Sequence, residues 1–105
     1  MNYFSHGQWV AAPLEESDLE VLAADSFVVD EGQAVGFSRH LDRFRQAVED
    51  SRAQVGDDID SFLGRALAEI PLTGRWFPRI DLVTNSKDTW WRYHHRVAPT
   101  SETSV

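Results

Sequence analysis

The spacing of apolar positions changes along this chain, and each change marks a predicted element. Residues 1–22 hold no sustained period: Gly7, Pro13 and the acidic run Glu15-Glu16-Ser17-Asp18 surround one short apolar tract, Trp9-Val10-Ala11-Ala12. That segment reads as loop, with at most an edge strand near residues 8–12. Residues 25–37 read as a β-hairpin: Ser26-Phe27-Val28-Val29, a turn at Asp30-Glu31-Gly32, then Gln33-Ala34-Val35-Gly36-Phe37. Gly32 supplies the positive φ that a tight hairpin turn requires. The period then becomes helical. Phe37, Leu41, Phe44 and Val48 recur at i, i+4, i+7 and i+11, one face of a helix that runs to about Arg52 with Ser38 as its N-cap. Val55-Gly56 breaks it. A second helix shows a broader stripe, Ile59, Phe62, Leu63, Ala66, Leu67 and Ile70, capped by Asp57 or Asp58 and stopped by Pro71.

The last third reads as another hairpin, whose pairing follows from its turn. Centred on Ser86-Lys87, Thr84 faces Thr89, Leu82 faces Trp91, Ile80 faces Tyr93 and Pro78 faces His95, all on one side of the sheet. The other side pairs Val83 with Trp90, Asp81 with Arg92, Arg79 with His94, and Phe77 with Arg96. One face is aromatic and aliphatic and the other largely charged, as in an antiparallel sheet covered on one side. The expected class is therefore α+β, an antiparallel sheet from two hairpins with two helices packed on one face. Its expected divisions are an N-terminal loop or edge-strand segment over 1–22, an α+β small domain over 23–98, and a linker-like tail over 99–105.

Composition narrows the function classes. At 105 residues, 42% hydrophobic and 26% charged, the chain fits one folded domain with a real core. No apolar run approaches the roughly 18 residues of a membrane span, and the N-terminus lacks the basic and apolar regions of a signal peptide. A net charge of −7 disfavours nucleic-acid binding and an anionic membrane surface. The lack of cysteine removes disulfides and thiolate metal sites and fits a cytoplasmic location. His94 and His95 are adjacent on a strand and point to opposite faces, so no metal site is expected.

Arg43 is the first candidate site residue. On the first helix, Arg39, Arg45 and Arg52 each have a carboxylate one turn away, whereas the i±3 and i±4 neighbours of Arg43 are His40, Gln46, Arg39 and Ala47. Arg43 flanks the buried face, and a planar guanidinium there suits a phosphate. The alternative is an ordinary surface arginine whose partner lies elsewhere in the fold.

The run from Ala24 to Phe44, which contains His40-Leu41-Asp42-Arg43-Phe44, resembles the start of the class IV aminotransferases, pyridoxal-phosphate enzymes that include branched-chain aminotransferase and aminodeoxychorismate lyase. In that family a hairpin precedes a helix bearing His-x-x-Arg-(Phe/Leu), and the arginine binds the cofactor phosphate. The stretches Pro71-Leu72-Thr73-Gly74-Arg75-Trp76-Phe77-Pro78-Arg79 and Arg96-Val97-Ala98-Pro99 resemble a bacterial subgroup of the same family. The resemblance implies that Arg43 contacts the phosphate of pyridoxal phosphate with His40 beside it. It also implies that the strand before the linker contributes to a substrate pocket, for which Trp91, Arg92 and Tyr93 are the candidates; for Trp91 and Tyr93 a core role is the competing reading.

The departure from the family is large. Its enzymes continue through a linker into a large domain whose lysine holds the cofactor, whereas this sequence ends at Pro99-Thr100-Ser101-Glu102-Thr103-Ser104-Val105 and contains a single lysine, Lys87, in a turn. The chain is thus expected to be the small domain of such an enzyme, inactive without a large domain. That domain would either come from a second polypeptide or be missing from this chain, and the apolar surface it would cover favours association, as a homo-oligomer or with that polypeptide. The alternative is a non-catalytic interaction domain that retains the small-domain fold.

Overall fold

Among the residues described, 1–13, 15–53, 59–85 and 87–98 of a computed structural model, the chain runs β1 (Asn2–Ser5), β2 (Gln8–Val10), a 3-10 turn (Glu16–Asp18), β3 (Glu20–Ser26), β4 (Val29–Asp30), β5 (Gln33–Ala34), α1 (Phe37–Ser51), α2 (Ile59–Ala68), β6 (Arg75–Trp76), β7 (Arg79–Thr84) and β8 (Thr89–His94). The class is α+β. A five-stranded antiparallel sheet has the order β2-β1-β8-β7-β3, and a three-stranded sheet has the order β5-β4-β6. The expected caps Asp57 and Asp58, the turn residue Ser86 and the tail 99–105 lie outside the described residues.

The β7–β8 hairpin has the register that alternation predicts, from Thr84 opposite Thr89 to Arg79 opposite His94. Ile80, Leu82, Trp91 and Tyr93 accordingly face the helices and are buried. Phe62 of α2 stacks on Trp91 at 5.3 Å and 13°, while Phe44 of α1 meets the same ring at 6.0 Å. Both helices therefore cover one face of the large sheet. Each fully buried side chain of this size contributes about 1.5–3 kcal/mol by leaving water.

The N-terminal segment departs from its expected loop. Residues His6 and Gly7, at φ 54° and 77°, make the left-handed pair of a two-residue hairpin turn between β1 and β2. β1 is an internal strand, bonded to β2 on one side and β8 on the other. It buries Tyr3 on one face and Phe4 on the other. β3 forms the opposite edge, paired with β7 and bulged between Val21 and Ala23. Its Glu, Ala, Asp and Ser content is poor for strands, and the partner that stabilises it is remote in sequence.

The first hairpin is also rearranged. Ser26 ends β3, Phe27 N–H donates to Pro78 O at 3.3 Å, and only Val29 onward enters the small sheet. Its turn is where expected, with Glu31 at φ 49° and Gly32 at φ 81°. A Cβ on Gly32 would stand 3.3 Å from Leu72 O, so backbone contact as well as φ selects glycine. α1 starts at Phe37 after Gly36, which takes φ 61°; Ser38 is inside the helix rather than its cap. Arg45 pairs with Asp60 of α2 instead of a carboxylate on its own helix. No helix among the described residues is long and apolar enough to cross a membrane.

Because β2 and β3 are opposite edges, the chain between them must cross the sheet. It passes the Trp90 end of the face turned away from the helices, where Pro13, Glu15 and Asp18 line a groove with Trp90, Asn85 and Asp88. That face is therefore partly covered: Val83 and Asp81, at its centre, are fully buried.

Candidate functional site

The phosphate candidate sits where α1 packs on the end of β3. His40 and Arg43, one turn apart, both reach Asp25. Arg43 Nε lies 3.4 Å from Asp25 Oδ2 and Arg43 Nη2 3.3 Å from Asp25 Oδ1. His40 Nδ1 lies 3.2 Å from Asp25 Oδ1 and 3.0 Å from Arg43 Nη2. That nitrogen either carries a proton and donates to Asp25 or is bare and accepts from Arg43; it cannot do both. Ser26 N–H donates to Asp25 Oδ1 at 2.8 Å, which fixes the carboxylate. Arg43 thus has an acidic partner elsewhere in the fold, as the alternative reading allowed, 18 positions away on another element. The contacts are long, however, and 63% of the Arg43 side chain is exposed. A shallow groove lined by Val35, Gly36, Phe37, Ser38, Arg39 and His40 opens beside His40.

The three strand residues expected at a substrate pocket do not converge. Trp91 is a core residue between Phe44 and Phe62, 1% exposed, and its Nε1 has no hydrogen-bond partner among the described residues. Tyr93 is equally buried, on the helix face, with its hydroxyl 2.9 Å from His95 Nδ1. Burial, assisted by Glu69, pushes its pKa up to about 12, so the phenol stays protonated. Arg92 points to the opposite face.

On that open face Arg92 belongs to a charged cluster centred on Asp81. Arg79 Nε donates to Asp81 Oδ1 at 2.6 Å and Arg92 Nε to Asp81 Oδ2 at 2.9 Å. His94 Nε2 also lies 2.9 Å from Oδ2, within ion-pair distance. Burial pulls the Arg92 pKa down, yet Tyr3 and Asp81 outweigh it and hold the guanidinium above its ordinary value. Burial holds His94 below its ordinary value; Asp81 opposes this, while Arg92 and Arg79 add to it. One row further, Arg96 Nε donates to Phe77 O at 3.0 Å and Arg96 Nη2 to Ser26 Oγ at 2.7 Å, with the guanidinium 4.9 Å from the Phe77 ring centre.

Arg79, Asp81, His94 and Arg96 are the residues that sequence reasoning passed over as a solvated face. The cross-strand pairing signalled the Asp81–Arg92 contact; what it lacked was Tyr3 of β1, which packs against Arg92. Lys87 is in an exposed turn in which Asn85 Oδ1 accepts from Lys87 N–H at 2.8 Å and Asp88 N–H at 2.7 Å. Nothing there desolvates the amine for nucleophilic work.

Comparison with known proteins adds no relative: no protein-family model and no curated protein sequence matches this chain.

Proposed function

We propose that this chain is the cofactor-phosphate-contacting small domain of a class IV aminotransferase-like pyridoxal-phosphate enzyme, inactive until a large domain supplies the lysine. The observation that carries the reading is the pair His40 and Arg43, one turn apart on α1, with Arg43 largely exposed and His40 lining a shallow groove. The fit to a phosphate is adequate: Asp25 engages Arg43 through Nε and Nη2 at 3.3–3.4 Å, and Nη1 has no partner among the described residues. Bound there, pyridoxal phosphate would supply the electron-withdrawing ring for amino-group chemistry. Arg43 would anchor its phosphate, His40 would hold Arg43 in place, and Asp25 would fix both. Substrate identity belongs to residues outside α1. Of the three strand residues Arg92 alone lies off the helix face, and it is largely buried and held by Asp81 and Tyr3, whereas Trp91 and Tyr93 serve the core.

The test is native mass spectrometry of the chain purified from its own host, followed by Arg43→Ala in whatever assembly is found. A co-purifying polypeptide with the added mass of pyridoxal phosphate, and loss of that mass in the variant, supports the reading. A homo-oligomer without cofactor removes it. That second outcome would favour the non-catalytic interaction domain, for which the observation is an apolar cleft between the small sheet and α2. The cleft is lined by Val29, Ala34, Phe37, Leu67, Ile70 and the largely exposed Leu72.

A further inference from the structure

We propose that the open face of the five-stranded sheet is a receptor for a small oxyanion-bearing molecule, a carboxylate or a phosphate, anchored by Arg96 and Arg79. Sheet register puts Ser26, Arg79 and His94 in one cross-strand row, with Asp81 and Arg92 in the row above. Arg96 reaches into the row of Ser26 from below by hydrogen-bonding its hydroxyl. Side chains two apart on β8 are about 7 Å apart, so the cations form a short strip rather than a point.

The strip is preorganised. Arg96 is half-buried and fixed at Nε by a carbonyl and at Nη2 by a hydroxyl, both neutral, and no carboxylate among the described residues lies within ion-pair distance of it. Its charge is therefore held still and uncompensated, unlike that of Arg43. Arg79 spends only Nε on Asp81, and neither of its terminal nitrogens has a partner among the described residues. Asp81 acts as an internal counter-charge: one carboxylate, withdrawn from water, orients Arg79 and Arg92 without neutralising the group. Guanidinium groups immobilised in this way lose little freedom when they grip an oxyanion.

The occupant is small because of charge. The chain carries −7 overall, which repels a long polyanion. A compact anion experiences mainly the cations within a Debye length of about 8–10 Å. Arg96 and Arg79 lie on the face opposite α1, so a failed cofactor test at Arg43 leaves this site untouched.

The experiment is a titration of the 15N-labelled full chain with inorganic phosphate and, separately, with malonate, at constant ionic strength, read by amide and arginine Nε shifts. Saturable shifts confined to Ser26, Phe77, Arg79 and Arg96 are expected. Arg96→Gln should weaken binding by about tenfold or more, the loss of one charge-assisted bond. Arg65→Gln, on α2, should leave it unchanged. Arg96 also ties Phe77 to Ser26, so if that variant fails to fold, Arg79→Gln is judged by the same criterion. Tighter binding of phosphate than of malonate assigns a phosphorylated ligand, and the reverse a carboxylic acid. Shifts that drift without saturation, or that survive both open-face variants, overturn the proposal.

Discussion

Asp81 and Arg92 stand opposite each other on β7 and β8, with Oδ2 2.9 Å from Nε, and both side chains are withdrawn from water on a face that no helix covers. A buried pair of this kind adds little net stability relative to well-packed apolar residues, but removing one member is costly. Asp81 has two further cationic neighbours, Arg79 and His94, which makes it the most sensitive member.

Asp81→Asn keeps the shape and removes the charge. It leaves Arg92 buried beside Arg79 with no carboxylate, and the expected destabilisation is about 3–5 kcal/mol. Urea unfolding with an unchanged slope reads this directly as a lower midpoint. A loss below about 1 kcal/mol would place the cluster with exposed surface pairs instead.

His94 links the cluster to pH. Its folded-state pKa is held below the ordinary value, so on acidification the unfolded chain takes the proton first. The stability contributed by neutral His94 is full above about pH 6.5 and declines as the pH falls from there through the folded-state value. Urea midpoints taken between about pH 8 and about pH 5 should therefore depend on pH less steeply in His94→Gln than in the parent chain. Parallel profiles would show that another group dominates this limb.

Asp25 competes with any anion for Arg43. Asp25→Asn removes the competing charge while keeping the acceptor for Ser26 N–H. Isothermal titration with pyridoxal phosphate should show tighter binding to this variant, by up to about fivefold for a partly exposed pair worth up to about 1 kcal/mol. Unchanged or weaker binding would separate Arg43 from the phosphate.

Trp91 tests the division between core and site. Trp91→Ala should cost about 3–5 kcal/mol, because Phe44 and Phe62 lose their shared partner. Trp91→Phe should cost less, since it also removes a buried N–H that lacks a partner. Fluorescence-monitored denaturation, following the remaining tryptophans, ranks the two. Equal stability of Trp91→Ala and the parent would return Trp91 to the list of ligand-facing residues.

Periodicity located both helices and the register of β7 with β8, because those features depend on neighbours within one or two turns of chain. Glu31-Gly32 was legible as a turn for the same reason. The equivalent signal at His6-Gly7, a glycine-containing pair between Tyr3-Phe4-Ser5 and Gln8-Trp9-Val10, was present but masked by the acidic run that follows. β3 carried no local signal, since its strand state rests on β7 more than fifty positions away. The site divided in the same manner. His40 beside Arg43 follows from helix geometry, whereas the Asp25 contact and the enclosure of Asp81 require elements that only the complete fold brings together.

The position of β1 has a consequence for the order of events during synthesis. Asn2, Tyr3 and Phe4 pair with Tyr93, Arg92 and Trp91, so β1 waits for β8 to be made. Contacts of such long sequence separation are slow to close. On the ribosome, β1 and β2 would hold a hairpin with Phe4 and Trp9 bare until β8 clears the exit tunnel. During that interval the nascent hairpin has an open edge, and it is then that a chaperone, or a neighbouring nascent chain, would find something to hold.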